Sequence, residues 1–264
     1  MIKKIAYIVL WIMLSLGIAA LLGFVEHERK ALPCNTIEIK IDESNELFFI
    51  DNQDVMEIIK LNGDSVIGQA MGEIDVHKLE KIINRNPSVE NAHVYKTING
   101  EIIVEIKQRT PLFRVFSMSG ESYYIDKLGY FMPLSDKYTA RVPVASGYIF
   151  EKYASNADIT IYDIIANDSI ASKTIIDDVF MIAEYISKDE FWNAQVDQIY
   201  VNVNREIELI PRVGNHSIIF GNAEDMKEKF YKLFIFYKNA LPSIGWNEYK
   251  YINLKYKDQV ICSK

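Results

Sequence analysis

The chain has 264 residues, 29 basic and 36 acidic side chains, and a formal net charge of −7. An acidic chain with no basic run longer than two residues lacks the clustered Lys and Arg that nucleic-acid binding requires, so no nucleic-acid partner is expected. Its two cysteines, Cys34 and Cys262, have no CxxC spacing; no metal or redox motif is expected from them, and they are read as unpaired thiols.

Lys3 and Lys4 precede 21 uncharged residues, Ile5 to Val25, and a charged cluster, Glu26 to Lys30, follows. As a helix that run spans about 31 Å, the thickness of a bilayer's hydrocarbon core. Residues 1–4 are then a short cytoplasmic tail with no room for a function of its own, 5–25 a transmembrane helix and 26–35 a juxtamembrane linker. A cleaved signal peptide is the alternative, with Ile5 to Leu16 as its apolar region and Gly17-Ile18-Ala19 as its cleavage site. The apolar run continues past that site through Leu21, Leu22, Phe24 and Val25, which favours the anchor. Pro33 before Cys34 speaks against lipidation. Lys3 and Lys4 against Arg29 and Lys30 leave the orientation almost balanced.

The segment 36–110 reads β-α-α-β-β. Thr36 to Ile41 alternates as a half-buried strand. Asp51 is expected to cap a helix carrying Val55, Ile58 and Ile59, stopped at Asn62-Gly63. Asp75 is expected to cap a second helix carrying Val76, Leu79, Ile82 and Ile83, stopped at Asn86-Pro87. Val89 to Lys96 and Glu101 to Lys107 flank Asn99-Gly100, a hairpin signal in which both residues tolerate positive φ. The first and last strands can share a sheet with both helices on one face.

From residue 111 to 264 the pattern is strand-rich. Leu112–Ser117, Ser122–Asp126, Arg141–Val144, Gln195–Val203, Glu206–Ile210 and Ser217–Phe220 are expected strands. Two helices are expected, one capped by Asp177 and one capped by Asn222 and ended by Pro242. Lys250 to Ile261 is read as a single terminal strand. The polar stretch Gly147–Thr174 matches no recognised pattern. The fold class is α+β.

No catalytic pattern emerges. His27, His77, His93 and His216 are isolated, and no phosphate-binding glycine loop occurs. Gly120 and Ser122 begin a GxSxG, but Tyr124 stands where the second glycine belongs. The SxxK and KTG motifs of cell-wall transpeptidases are absent. The 16 tyrosines are scattered and read as half-buried strand positions. The carboxylates read as surface charge, with a catalytic pair as the less favoured alternative. No cofactor and no enzymatic activity are expected.

Asn86-Pro87-Ser88-Val89, Ala92, Val94-Tyr95, Gly100, Ile102 to Ile106, Gln108-Arg109-Thr110-Pro111, Tyr124-Ile125-Asp126 with Gly129, Phe220-Gly221 and Tyr251 to Tyr256 form an ordered pattern. In that order the chain resembles the FtsQ/DivIB family of bacterial cell-division proteins over nearly its whole length. The resemblance implies a POTRA domain followed by a β domain, both outside the cytoplasm on a single-pass inner-membrane anchor at the division septum. It also implies a non-enzymatic divisome scaffold that binds the coiled-coil partners FtsB and FtsL and helps control septal peptidoglycan synthesis by FtsW and FtsI. The chain departs from the family at Asn253, where Asp is common, in the 147–174 stretch, and in its short tail. Competing functions are a membrane-anchored cell-wall hydrolase and a POTRA-type chaperone of outer-membrane assembly. The latter expects further POTRA repeats or a following barrel.

The terminal strand is the expected partner site, because an edge strand offers unpaired backbone groups to an incoming strand. Ile252, Leu254 and Tyr256 would pack on the long helix against Phe230, Leu233 and Tyr237. Tyr251, Asn253, Lys255 and Lys257 would face solvent or a partner, with Trp246, Tyr249 and Tyr251 as amphipathic anchors. A plain last core strand, its edge solubilised by lysines, is the bland alternative. The 36–110 unit offers a second strand edge.

Overall fold

The computed structural model describes residues 2–44, 46–62 and 66–264. The chain divides into two compact units, 1–108 and 109–264.

Helix α1 (Ile2–Ala31) opens the first unit, and its stretch Leu10–Ala31 is long and apolar enough to cross a membrane. The large apolar side chains from Leu10 to Val25 are each more than half exposed, as suits lipid contact. The helix does not stop at Val25. It continues through 26–31, where Glu26 pairs with Arg29 and Lys30 one turn on, at 3.0 and 3.4 Å, so part of the expected linker is helical. The chain beyond it is bonded to a neighbouring turn: Gly72 N–H donates to Lys30 O, Met71 to Leu32 O and Cys34 to Gln69 O, at 2.8–2.9 Å.

The rest of this unit is β1 (Thr36–Ile41), α2 (Asn52–Asn62), α3 (Val76–Ile83), β2 (Val89–Lys96) and β3 (Glu101–Gln108). The sheet order is β1-β3-β2, with β1 parallel to the central β3 and β2 antiparallel to it. Val55 and Ile59 of α2 and Leu79 and Ile83 of α3 share one core with Val94, Ile102, Val104 and Ile106. Both expected caps form. Asp51 Oδ1 accepts from the backbone of Gln53 and Asp54, and Asp75 Oδ1 accepts from Lys78 N. The Gly63 stop lies outside the described residues. The β2–β3 turn differs from expectation, since only Gly100 has a positive φ (79°). Thr97 N donates to Glu101 O, making a longer loop, and a Cβ on residue 100 would lie 2.9 Å from Pro33 O.

Gln108 closes this unit. Its buried side chain accepts from Phe49 N (2.8 Å) and Ile50 N (3.2 Å) and donates to Leu47 O (2.7 Å). Those bonds satisfy backbone groups in an irregular buried segment.

The second unit holds β4 (Pro111–Phe116), β5 (Ser122–Asp126), β6 (Phe131–Met132), β7 (Val144–Gly147), β8 (Val196–Val201), β9 (Ile207–Pro211), β10 (Ser217–Gly221), β11 (Tyr251–Asn253) and β12 (Ile261–Ser263). They form one sheet in the order β12-β11-β10-β9-β8-β7-β4-β5-β6. Its helices are α4 (Tyr153–Asn156), α5 (Ile161–Ile165), α6 (Asp168–Ala171), α7 (Ile176–Lys188), α8 (Glu190–Gln195), α9 (Met226–Asn239) and α10 (Leu241–Ile244). The unrecognised 147–174 stretch thus folds into short helices. Thr160 and Asp163 form a capping box on α5.

Helices α7, α8 and α9 pack together on the sheet. Tyr185 stacks on Phe230 at 4.5 Å, and Trp192 meets Phe230 at 5.1 Å. Two expected caps shift. Ile175 precedes α7, so Asp177 lies inside its first turn. Asp225, not Asn222, precedes α9. Asn222 instead accepts from the buried Lys229 ammonium through both its backbone O (2.9 Å) and its Oδ1 (3.1 Å). Pro242 sits inside α10, and α9 ends earlier, at Asn239.

Candidate functional site

The expected terminal strand is a hairpin. β11 covers only Tyr251–Asn253 and runs parallel to β10, pairing Ser217 with Tyr251 and Ile218 with Ile252. The chain then turns through Asp258 (φ 57°) and returns as β12. β12 runs antiparallel to β11, pairing Ile252 with Cys262 and Asn253 with Ile261. The side of β11 read as free is therefore covered by the chain itself, and β12 is the outer strand. No Gly or Pro marks the turn, which is why the alternation read as one strand.

Ile252 and Leu254 are fully buried in the core with Phe230, Leu233 and Tyr237, as expected. Each such burial is worth about 1.5–3 kcal/mol. Tyr256 is 47% exposed, because the strand has already ended. The remaining named residues scatter. Tyr251 is 46% exposed on β11. Asn253 Oδ1 accepts from Lys255 N at 3.0 Å and closes the turn that ends the strand. Lys255 pairs with Glu206 and holds that carboxyl below its usual range. Lys257 is exposed on the loop. Trp246 and Tyr249 are half-buried, their rings 5.3 Å from Tyr237 and 6.5 Å from Phe236. Tyr251 is thus exposed on the strand next to the edge, Trp246 and Tyr249 pack on α9, and Asn253 and Lys255 serve the chain's own turn.

Two residues that hold this corner were not legible in sequence. His216 is buried between the Trp246 carbonyl (Nδ1, 3.3 Å) and the Tyr237 hydroxyl (Nε2, 2.7 Å). A carbonyl only accepts, so Nδ1 carries the hydrogen and Nε2 accepts from Tyr237. Burial pushes the imidazole pKa down and the Tyr237 phenol pKa up. Lys232 donates to Leu254 O (3.3 Å) and Tyr256 O (2.6 Å), tying the chain after β11 to α9.

The other strand edges differ in how they are protected. At the far end of the large sheet, β6 is two buried residues, and Tyr130 beside it bridges to Thr160. In the first unit, α3 seals β2. Asn84 bonds both Ala92 N (2.9 Å) and Ala92 O (3.4 Å), and Glu80 accepts from Val94 N (2.9 Å). β1 has a strand on one side only. Among the described residues, the edges left for a partner strand are β1 and the C-terminal hairpin.

A cavity of about 420 Å³ near the hairpin is lined by Arg205, Glu206, Glu224, Asp225, Lys229 and Lys255. Three carboxylates and three basic groups line it, and Lys255 pairs with Glu206.

Two family models match the chain. Residues 110–263 match the one described as FtsQ/DivIB, C-terminal related. Residues 32–107 match the one described as a POTRA-like domain. The search of curated proteins gave no match.

Proposed function

Because the chain belongs to the FtsQ/DivIB family, we propose that it is a non-enzymatic divisome scaffold which captures other single-span division proteins at a strand edge. The partners are coiled-coil proteins of the FtsB and FtsL type. Through them the scaffold helps regulate septal peptidoglycan synthesis. Helix α1 is the single-pass anchor in the inner membrane, and both folded units lie in the periplasm at the division septum.

The observation that carries this reading is the contrast among the edges. β6 is bridged and β2 is sealed by Glu80 and Asn84, whereas β1 is left open and so is the C-terminal hairpin. It is bordered by Trp246, Tyr249 and Tyr251, residue types enriched where binding energy concentrates. Backbone hydrogen bonds supply affinity in such strand addition, and neighbouring side chains supply selectivity. Tethering contributes as well, since two single-span proteins in one membrane meet at high effective concentration.

Depletion of the protein in its host tests the role. Filaments without septa are the expected outcome. Normal septation at full depletion contradicts it.

A further inference from the structure

Three passages of chain meet at the end of the first unit from which α1 arrives. Thr36 opens β1 opposite Glu101 and the two strands run parallel, so the residues before 36 and the β2–β3 turn lie off the same end of the sheet. Asn35 N–H donates to Gly100 O (2.8 Å), and the Asn35 side-chain amide donates to Asn99 O (3.4 Å). Gly68 N–H donates to Cys34 O (2.8 Å), beside the bonds that join Gln69, Met71 and Gly72 to residues 30–34. The packing is close as well, since a Cβ on residue 72 would lie 3.1 Å from Lys30 Cβ. The stretch between α1 and β1 is thus bonded along its length to the domain. Helix α1 ends about 9 Å beyond Val25, level with the outer surface of a headgroup layer about 5–8 Å deep. Beside that point Ile98, in the β2–β3 turn, is 74% exposed, and Leu32 is 41% exposed. Arg29 and Lys30 both pair with Glu26.

We propose that the β2–β3 turn is a second, shallow membrane contact: Ile98, with Leu32 beside the helix end, seats in the headgroup layer of the bilayer that α1 spans. This rests on the reading of α1 as an anchor and states how the first unit sits on that anchor. The occupant is lipid, because the bonds of residues 30–35 hold the turn next to the lipid-facing helix whether or not another protein is present. An apolar side chain at that depth gains by leaving water, and the ion pairs at 26–30 already satisfy the basic groups there, so apolar insertion rather than charge drives the contact. A lone helix tilts in the bilayer, and a domain bonded to it turns with it. A second contact off the helix axis fixes which way the domain faces. The open β1 edge is then held at one height and in one direction above the membrane, where other single-span proteins are concentrated.

The test places one environment-sensitive fluorescent label at a time on the full chain, reconstituted in phosphatidylcholine–phosphatidylglycerol vesicles. The background is Cys262→Ser; Cys34 is buried and stays in place, and the background protein without an added cysteine is the blank. Ile98→Cys reports the turn, Asn91→Cys the other end of β2, and Leu14→Cys the middle of the apolar helix. Lipids carrying a nitroxide at the headgroup or along the acyl chain quench labels at those depths. The contact predicts that the label at 98 emits at shorter wavelength than the label at 91. It also predicts that headgroup nitroxide removes most of the emission at 98 and little at 91, while acyl-chain nitroxide quenches the label at 14. Emission at 98 as red as at 91, or no more strongly quenched, overturns the contact; quenching at 14 in the same vesicles then leaves the anchor standing. A label at 14 that no nitroxide lipid quenches overturns the anchor and the contact together.

Discussion

His216 Nε2 lies 2.7 Å from the Tyr237 hydroxyl, in a buried contact between the start of β10 and the last turns of α9. With Nδ1 against the Trp246 carbonyl, one imidazole ties the sheet, the long helix and the approach to β11. The neutral ring accepts from Tyr237 here; a protonated ring would have to reverse that bond, donating Nε2–H to the phenol oxygen, and would carry a buried charge.

The sign of the pH dependence follows. His216 protonates in the unfolded chain near 6.5 and in the folded chain only at lower pH. Its contribution to stability is complete above about 6.5 and is lost as pH falls from there through the folded value. Urea midpoints at pH 7.5 and pH 5 should differ more for the wild type than for His216→Gln, which keeps hydrogen-bonding capacity without titrating. An equal pH difference in both proteins would show that His216 is not the titrating group.

Arg109 and Asp126 make a buried ion pair at 2.9 Å, and Asp126 also accepts from Leu128 N and Tyr130 N. Burial pushes the Asp126 carboxyl pKa up in spite of those donors. Arg109→Ala leaves a buried charge without its partner, and the expected cost is about 3–5 kcal/mol. Asp126→Asn in the same background removes that charge and should recover part of the loss. A loss below about 1 kcal/mol for Arg109→Ala in urea unfolding would mean that solvent already screens the pair.

Asn84 satisfies both backbone groups of Ala92 from outside the sheet. Asn84→Ala should cost about 1–3 kcal/mol and expose the β2 edge. Sedimentation velocity should then show self-association that the wild type lacks. A variant that is destabilised yet stays monomeric would restrict Asn84 to a role in stability.

Gly147 and Gly120 both have positive φ, at 95° and 86°. A Cβ at 147 would meet Val201 O at 2.1 Å, whereas at 120 nothing lies within 4 Å. Gly120→Ala should therefore cost only the backbone strain, about 1–3 kcal/mol. Gly147→Ala must also push β7 away from β8, so it should be clearly the worse of the two by thermal unfolding. Equal effects would place the whole cost in φ.

What the sequence revealed depended on how far apart the interacting residues are. Asp51 and Asp75 were readable as caps because their partners lie two or three residues on, and the β-α-α-β-β order followed from periodicity. His216 was not readable, since Tyr237 and Trp246 are 21 and 30 residues away. Gln108 and Arg109 were recognisable as part of a pattern, yet the pattern does not say that Gln108 bonds to Leu47, Phe49 and Ile50. Asn222 resembled a cap because it precedes an acidic turn; the buried Lys229 claims it instead. The C-terminal hairpin was misread for a related reason. Its turn lacks Gly and Pro, and Asn253, whose side chain closes the turn on Lys255 N, reads as one more position of an alternating strand.

The central claim is partner capture at the C-terminal hairpin, and Tyr251 tests it most directly because its side chain is exposed there. The measurement is capture of an FtsB-type partner by the full-length chain and by Tyr251→Glu, both checked for native circular dichroism. The account predicts capture by the wild type and a loss of at least about tenfold in affinity for Tyr251→Glu. Equal capture by a folded Tyr251→Glu protein, or no capture by the wild type, would contradict it.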